Sequence, residues 1–527
     1  MSSIIEVKVG SHTYLYESVS YRENGQVKNR RHPIGKVDPK TGVRHYKADY
    51  IEAMRAKGTP VQVASTEMAY SQDDIRSSTV LEAGLIHLLT VAAEQIGLLA
   101  AIREALPRMW SEIFALACFL AVEGETAMHT SDWAERVDLP PIGSLDSRRI
   151  SELLASVDAG ECLCFYEQWC KAREEAEFLA LDVTSASSYS ELIEDVEWGH
   201  NRDGESLPQV NLCLLMGMAS RLPVYQTTYP GSIRDVSALD SVMMAFSQVT
   251  HGGPVTTVTD KGFYSERNIK AMMDSPDRRF LAAVPFTSAF AKRQVDGERK
   301  DIDRAANTIV VGGDSLRAVT KRRVFAGGWL HTHIFYSANK AQGHREDMLA
   351  AVAMLKEEAT ASPERCAASE VHTRFLNIRR STKSDRAWTV SIKEGAIEAA
   401  LGYTGWLVII SNCVDNAKEA IMAYRAKDVV EKGFMRLKDD IGLGRLRIHS
   451  QERLQNKVFV GFIALILLSH IHSVMLDHGL YRKMTARQLM RTLAKQRVQV
   501  INGERIMLPA TKAQKEIYAA FGVMPPL

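Results

Sequence analysis

The sequence predicts an α/β protein whose core is a mixed β-sheet. A β-rich pattern begins at residue 178, after a long stretch with helical periodicity. Three predicted strands follow one another without a helix between them, and two helix–strand pairs come next. These elements are strands 178–187, 209–218 and 222–229, then helix 236–249 with strand 255–259 and helix 265–273 with strand 279–284. A meander followed by helix–strand units is typical of a ribonuclease H-like sheet.

A chain of 527 residues is too long for one hydrophobic core and should form several regions. We predict an N-terminal β-hairpin region with possible DNA contact (1–75), a helical domain (76–175), the first part of the core (176–286), a β-rich insertion (287–400), the second part of the core with the Glu431 helix (401–478) and a basic, helical C-terminal tail (479–527). The insertion is long enough that we expect it to be a domain in its own right. A buried strand at 406–411 then returns to the core.

The N-terminal hairpin is predicted over 12–46. Apolar and polar residues alternate from His12, and Asn24-Gly25 supplies a tight turn. The return arm is basic and includes Arg30 and Arg31, with several tyrosines nearby. Basic and aromatic groups together on a ribbon suit nucleic acid, and they suit an ordinary half-buried hairpin equally well.

Composition is that of a folded protein, with 46% hydrophobic and 24% charged residues and a net charge of +2. Basic residues outnumber acidic ones at both ends of the chain, as expected of a protein whose terminal regions bind a polyanion. Seven cysteines without paired spacing favour a reducing cytoplasm over a disulfide framework. The N-terminus lacks a signal-peptide pattern, and the apolar run 458–468 is too short to cross a bilayer, so we expect no membrane association.

One helical segment near the C-terminal end of the core combines charges in an unusual way. On a regular helix, Tyr424, Lys427, Glu431 and Lys438 fall within an arc of roughly 60°. A carboxylate flanked by ammonium groups can hold a divalent metal while its neighbours hold the phosphates on which the metal acts. A solvated helix with intrahelical ion pairs is the alternative interpretation.

Two aspartates strengthen the metal interpretation. Asp182 follows Phe-Leu-Ala-Leu and Asp260 follows Val-Thr-Thr-Val-Thr, so both are predicted at the ends of core strands. Together with Glu431 they could ligate two hard cations, which prefer oxygen donors. Two ions about 4 Å apart serve phosphodiester displacement. Each aspartate taken alone also suits a turn or a helix cap.

These motifs resemble those of DDE transposases of the bacterial insertion-sequence type, whose signature is Tyr-x2-Arg-x3-Glu-x6-Lys. Tyr424, Glu431 and Lys438 match the signature in identity and spacing, and Lys427 stands at the arginine position. Asp182 in Leu-Asp-Val-Thr and Asp260 in Thr-Asp-Lys-Gly-Phe-Tyr match the two aspartates. The segments 16–21 and 34–42 also resemble the opening of one branch of these enzymes.

The resemblance implies that Asp182, Asp260 and Glu431 bind two Mg²⁺ (or Mn²⁺) ions per active site. It implies that Tyr424, Lys427 and Lys438 hold phosphates near the scissile end. Members of this family can also use an aromatic residue to stack on a flipped base; Trp329, Trp388 and Trp406, in or beside the insertion, are the candidates, and core packing is the alternative role for each. The partners implied are double-stranded DNA, as terminal inverted repeats and as target, and a second copy in an active homodimer. The location implied is the bacterial cytoplasm, in association with the nucleoid.

Two competing functions remain open at this point. A metal-dependent nuclease on the same ribonuclease H fold would cut DNA without joining it. A DNA-binding protein derived from a transposase would bind DNA with a silent active site. The polar loop His200-Asn-Arg-Asp203 is a further segment that could approach a substrate in either of the active cases.

Overall fold

The computed structural model divides into two compact units. The first comprises Met1–Thr79 with Val500–Arg505, and the second comprises Val80–Gln499 with Ile506–Leu527. The structure describes residues 2–10, 12–23, 26–39, 43–57, 72–124, 126–173, 178–251, 253–325, 327–381 and 387–527. All residues of the predicted metal site belong to the second unit.

The N-terminal unit contains a four-stranded antiparallel sheet in the order β1-β2-β3-β4. Its elements are β1 (Ser2–Val9), β2 (His12–Glu23), β3 (Gln26–Val37), β4 (Arg44–Tyr46), α1 (Ala48–Ala56) and α2 (Gln72–Arg76). Strands β2 and β3 form the predicted hairpin, whose Asn24-Gly25 turn lies outside the described residues. Leu15 and Ile34 are buried, whereas Arg30 and Arg31 of β3 are exposed.

A helical region opens the second unit, in agreement with the periodicity. Its elements are β5 (Thr79–Glu82), α3 (Gly84–Gln95), α4 (Leu98–Ala105), α5 (Trp110–Glu123), α6 (Thr130–Ala134), α7 (Ser147–Ser156) and α8 (Ala159–Lys171). The side chains of Asp146 and Asp158 cap α7 and α8 by accepting backbone N–H groups of the first turn. Trp169 of α8 is fully buried and donates its indole N–H to the carbonyl of Pro223, 2.9 Å away, which ties this region to the core.

The remaining elements include the strands of a large central sheet, the helices that cover it and several smaller parts. The strands are β6 (Phe178–Ser188), β7 (Gln209–Gly217), β8 (Pro223–Pro230), β9 (Val255–Thr259), β10 (Arg278–Val284), β11 (Thr308–Val311), β12 (Asp314–Phe325), β13 (Gly328–Tyr336), β14 (Leu376–Arg380), β15 (Trp388–Ile392), β16 (Trp406–Ser411), β17 (Arg445–Leu446), β18 (Arg497–Ile501) and β19 (Glu504–Met507). The helices are α9 (Asp235–Val249), α10 (Glu266–Met273), α11 (Ala289–Glu298), α12 (Ala338–Ala361), α13 (Pro363–Ala367), α14 (Glu370–Phe375), α15 (Glu394–Leu401), α16 (Ala417–Ala426), α17 (Asp428–Met435), α18 (Gln451–Asp477), α19 (Ala486–Ala494) and α20 (Lys512–Ala520).

The central sheet is mixed, and its strand order is β11-β12-β13-β16-β10-β9-β6-β7-β8, with β17 also paired to β6. Strands β6, β7 and β8 form an antiparallel meander, and β9 and β10 then add in parallel on the other side of β6. The predicted strands and helices between 178 and 284 agree with the observed ones to within one residue at each end.

The insertion expected over 287–400 is not a separate β-rich domain. Its first three strands pair in sequence, and β13 then pairs with β16, which pairs with β10, so they extend the central sheet. Leu330 and Ile334 of β13 join the main hydrophobic cluster, whereas Phe335 joins a second cluster with Ile409. Because successive side chains point to opposite faces, β13 has apolar residues on both faces and is stable only inside a covered sheet.

The rest of the insertion forms a small lobe from α12, α13, α14, α15 and the two-stranded β14-β15 ribbon. It has its own hydrophobic cluster, separate from the two clusters of the sheet. The buried members of that cluster are Val352, Ala359, Cys366, Phe375, Leu376 and Ile397.

Helix α18 is longer than the apolar run 458–468 that it contains. It extends over 27 residues, and its length and composition would allow it to cross a membrane. However, 78% of its most apolar segment is buried inside the protein, where it packs against α5, α7 and β8. The helix is therefore the central core helix of this unit.

Gly433 sets the distance between α17 and the sheet. A Cβ atom at this position would lie 3.2 Å from Cδ2 of Leu214 and 3.3 Å from Sδ of Met216, both on β7. Leu214 lies opposite Asp182 in the β6–β7 ladder. The close approach of α17 therefore fixes the position of Glu431 relative to the sheet that carries Asp182.

We expect Gly433→Val to lower the free energy of unfolding by about 1–3 kcal/mol, because the branched side chain overlaps β7 in a packed core. Urea denaturation measures this change. The matched control is Gly343→Val in the exposed part of α12, where no atom lies within 4 Å of the added Cβ. Valine has a better helix propensity than glycine, so Gly343→Val should lose no stability, and an equal loss in both variants would contradict the packing argument.

Candidate active site

The two aspartates lie side by side on neighbouring strands. Strands β6 and β9 run parallel with Leu181 opposite Thr259, so the next residues along the chain are Asp182 and Asp260. Neighbouring strands are about 4.8 Å apart. Asp260 lies at the end of β9, as predicted, but Asp182 lies within β6, which continues and pairs with β17 from Ser187. Asp182 thus occupies the point where β9 stops and a gap beside β6 begins.

The helical residues reach the aspartates from α16 and α17. The Tyr424 hydroxyl donates a hydrogen bond to Oδ1 of Asp260 at 2.8 Å. Nζ of Lys427 donates to Oε1 of Glu431 at 3.0 Å. Lys427 is only 8% exposed, whereas the Glu431 side chain is 56% exposed. The structure therefore combines the carboxylates with one buried ammonium group and one phenol.

Burial dominates the electrostatics of Asp182. It raises the pKa of this carboxyl group to about 6, and the negative charge of Asp260 adds to the increase. The backbone N–H of Val183 and the positive charges of Lys427 and Arg202 act in the opposite direction. Asp182 is thus ionised at neutral pH at an energetic cost, which a bound cation would offset.

The same cluster of negative charge shifts the pKa values of Lys427 and Tyr424. Burial alone would lower the pKa of Lys427, but the hydrogen bond to Glu431 and the charges of Asp260 and Asp182 raise it above its usual value. Burial, followed by the negative charge of Asp260, raises the pKa of Tyr424. Lys427 therefore remains an ammonium and Tyr424 a neutral hydrogen-bond donor.

The single helix predicted through 424–438 is interrupted twice. Lys427 lies between α16 and α17, and a π-helical turn over Arg436–Asp440 follows α17. The extra residue per turn of a π-helix changes the direction of the side chains that follow. Instead of joining the Glu431 cluster, Lys438 contacts both carboxylate oxygens of Asp203 at 2.6 and 2.7 Å.

The loop between β6 and β7 contributes residues that the helical spacing did not reveal. Arg202 forms an ion pair with Asp235, the first residue of α9, and Tyr229 donates to the same carboxylate at 2.8 Å. The charge of Arg202 also acts on Asp182. The sequence signal for this loop was the polar run His200-Asn-Arg-Asp203, but nothing in it indicated the partners Asp235 and Lys438.

Comparison with known proteins decides the family. A model described as "Transposase DDE domain" matches residues 173–467, more than half of the chain, and this range includes every residue of the site above. The chain belongs to the DDE transposase family. This confirms the family prediction made from the aspartates and the Tyr424–Lys438 motif.

Other comparisons give weaker relationships to this transposase. No curated protein matches it. Among solved structures, the cryo-EM structure of the piggyBac transposase synaptic complex with hairpin DNA is similar over 78% of this chain and 76% of that chain. The sequence identity is 10% and the TM-score is 0.34.

The three candidate tryptophans of the transposase differ in exposure. Trp406 is buried against Tyr336, and Trp388 is half-buried, with the Arg380 guanidinium 5.9 Å from its ring centre. Trp329 is 59% exposed at the start of β13, with the Arg322 guanidinium 5.1 Å from its ring centre. Trp198, in the β6–β7 loop, is 67% exposed and was not considered in the sequence-based prediction.

The donor set of the site fits hard divalent cations. It consists of three carboxylates, one of them on an exposed and movable side chain, with no sulfur donor among its members. Within the described part of the chain, the one group of three ligand atoms within 4.8 Å of one another lies elsewhere. The ligand atoms of Asp182, Asp260 and Glu431 therefore do not all lie within 4.8 Å of one another.

We expect Asp182→Asn to increase the free energy of unfolding by about 2 kcal/mol at pH 7 without metal, because it removes a charge that folding buries. The folded-state pKa of about 6 lies above the unfolded value of 3.8, so wild-type stability falls as pH rises from 4 through 6. The extra stability of Asp182→Asn over the wild type should therefore disappear as the pH falls towards 4. Denaturant titrations at pH 4, 5.5 and 7 measure it.

The control for this experiment is Asp277→Asn, which changes an exposed aspartate on the loop before β10. It should leave stability unchanged at each pH. A loss of stability in Asp182→Asn at pH 7 would contradict the view that the native fold holds this carboxylate at a cost.

Proposed function

We propose that this protein is a DNA transposase that cleaves the ends of an insertion sequence and joins the freed 3′-hydroxyl to target DNA. The observation that carries the proposal is the grouping of Asp182, Asp260 and Glu431 around the buried ammonium of Lys427. A cluster in which three carboxylates face one cation keeps an excess of negative charge, and divalent cations can neutralise this excess.

The strand order supports a ribonuclease H-like core for this activity. An antiparallel meander (β6, β7, β8) with two parallel strands (β9, β10) beside its first member gives the order expected from the sequence. In this arrangement one aspartate lies on the first strand and the other at the end of the adjacent parallel strand. We propose that β13 and β16 extend this core and that the small lobe is the appended part.

The residues of the site have distinct proposed roles. Asp182, Asp260 and Glu431 would hold two Mg²⁺ or Mn²⁺ ions, which activate the attacking oxygen and stabilise the leaving oxygen. Lys427 would neutralise charge on the scissile phosphate after releasing Glu431 to the ions. Tyr424 would keep one oxygen of Asp260 occupied and so orient the other towards the pocket.

Both chemical steps are in-line displacements at phosphorus. In the first, a water oxygen attacks the phosphodiester and the 3′-oxygen of the element end leaves as a hydroxyl. In the second, this 3′-oxygen attacks a target phosphodiester and displaces a 3′-hydroxyl of the target strand. The bond formed and the bond broken are of the same type in each step, so one site can serve both.

The partners proposed are the terminal inverted repeats, target DNA and a second copy of the chain, because two ends must be held together during transposition. Exposed basic side chains such as Arg30 and Arg31 of β3 would contact phosphates of the bound DNA. We propose the bacterial cytoplasm, where the nucleoid supplies the substrate, as the location.

Two competing functions make different predictions. A nuclease on the same fold would cut the same ends and release them. A silent DNA-binding descendant would have no reason to keep a carboxylate buried at a cost, yet Asp182 is retained and its pKa is raised to about 6. This retention favours an active site that binds metal.

We expect Asp182→Asn, Asp260→Asn and Glu431→Gln each to reduce end cleavage by about 10³-fold or more, because each removes a metal-binding charge. Binding to end DNA, followed by fluorescence anisotropy, should change little. With pre-cleaved ends and a labelled target, the wild type should form a joined product that the variants do not form.

The outcomes separate the candidate functions. Cleavage without any joined product would indicate a nuclease, and neither product would indicate a silent protein. A variant that cuts at the wild-type rate would remove its residue from the proposed triad. The control is Asp274→Asn. Asp274 lies at the end of α10 in an exposed ion pair with Lys270, so this variant should cleave and join DNA like the wild type.

We also expect Asp203→Asn to tighten binding of end DNA by about two- to tenfold. Asp203 forms an ion pair with Lys438 and so competes with a DNA phosphate for this ammonium group. The gain should shrink with added salt. Asp274→Asn changes net charge equally and should give no comparable gain. Unchanged affinity in Asp203→Asn would mean that Lys438 does not contact DNA phosphate.

A further inference from the structure

The small lobe formed by α12–α15 contains a second cluster of possible metal ligands, apart from the three carboxylates of the active site. Glu358 of α12, Cys366 of α13 and His372 of α14 each present one ligand atom, and these atoms lie within 4.8 Å of one another. We propose that this cluster is a zinc site that holds the three helices together.

The geometry of the cluster supports a built site. Cys366 is 1% exposed and His372 is 8% exposed, so both lose contact with water whether or not an ion is bound. Nε2 of His372 lies 3.2 Å from Oε2 of Glu358, close to the separation of two ligands on one tetrahedral ion. The exposed side of Glu358 leaves room for a water molecule as the fourth ligand.

Neighbouring groups orient two of the three ligands. Oγ of Ser369 lies 3.0 Å from Nδ1 of His372, which directs the opposite ring nitrogen, Nε2, towards the cluster. Arg365 holds Oε1 of Glu358 and leaves Oε2 facing the histidine. Metal sites in proteins depend on such outer hydrogen bonds to fix the tautomer and direction of the ligands.

The donor chemistry favours zinc over the ions of the active site. A thiolate, an imidazole and one carboxylate form the mixed sulfur, nitrogen and oxygen set that Zn²⁺ prefers, whereas Mg²⁺ and Mn²⁺ prefer oxygen ligands. On binding, the thiol of Cys366 would lose its proton to solvent and form the zinc–sulfur bond. Thiolate and carboxylate together then balance the charge of the ion.

The lobe also has a physical need for such a link. Among the described residues of the lobe, its separate hydrophobic cluster has six buried members, of which Cys366 is one, with partly buried side chains such as Leu355 packed against them. Small cores rarely supply enough stability on their own, and a structural metal is a common supplement. The proposed ligands come from three successive helices, so one ion would fasten the end of α12 to α13 and α14.

Metal analysis of the full-length chain tests the proposal directly. After equilibration with micromolar ZnCl₂ and removal of free ions, we expect about one zinc per chain. Substitution with Co²⁺ alone should produce the sulfur-to-cobalt charge-transfer absorption of a thiolate ligand. Cys366→Ser should abolish that band and the bound zinc, whereas Cys413→Ser, which changes an exposed cysteine, should keep both.

A milder variant distinguishes loss of the zinc site from misfolding of the lobe. Ser369→Ala keeps all three ligands and should weaken zinc binding by about 10-fold or more. A wild-type chain that retains no zinc, or a Cys366→Ser chain that retains the zinc and the cobalt band, would overturn the proposal. Asp182→Asn should still bind zinc, so failure of the transposase chemistry and failure of the zinc site are distinguishable.

Discussion

The contact between the Lys427 ammonium and Glu431 is the interaction on which the rest of the site depends. Three carboxylates that approach one another from two strands and a helix repel, and burial of Asp182 adds to the cost. A single positive charge inside the cluster reduces this repulsion without cancelling it. In the proposed metal site, the residual negative charge would attract divalent cations, so the imbalance that makes burial of Asp182 costly would also favour metal binding.

The sheet supplies the rigidity that this imbalance requires. Asp182 and Asp260 are fixed by adjacent registers of two parallel strands, and their relative position cannot change without a shift of the ladder. The helix side is interrupted, because α16 ends at Ala426, α17 starts at Asp428 and Lys427 lies between them, and the Glu431 side chain is 56% exposed. A rigid pair of aspartates facing a glutamate on a short helix allows closure around ions to occur mainly through movement of the glutamate.

The long connection between β10 and β16 is compatible with this rigidity because most of it joins the sheet. Strands β11–β13 continue the sheet on the side away from β6, so the core gains width without displacing the aspartates. The small lobe then projects from the loop between β13 and β16, where its helices can vary without altering strand register. An insertion that interrupts the sequence of the core therefore need not interrupt its hydrogen-bond network.

The sequence was sufficient for features that depend on local pattern and insufficient for those that depend on distant partners. The strands through 284 follow from alternation and turn residues, and Asp182, Asp260 and Glu431 follow from their motifs. The spacing of residues does not indicate the π-helical turn that redirects Lys438. Lys438 pairs with Asp203 through a tertiary contact, which local sequence cannot predict. Likewise, the alternation pattern of β11–β13 does not predict that these strands join the central sheet, or at which edge.

Lysine at the position where the resembling signature has arginine is consistent with this division between rigid and movable parts. An arginine would hold Glu431 through a planar fork of several donors, which resists the departure of the carboxylate. The Lys427 ammonium makes one hydrogen bond at 3.0 Å and can exchange it for a phosphate oxygen as a point charge. In the proposed metal site, lysine would thus give up geometric control of phosphate but release the glutamate more readily.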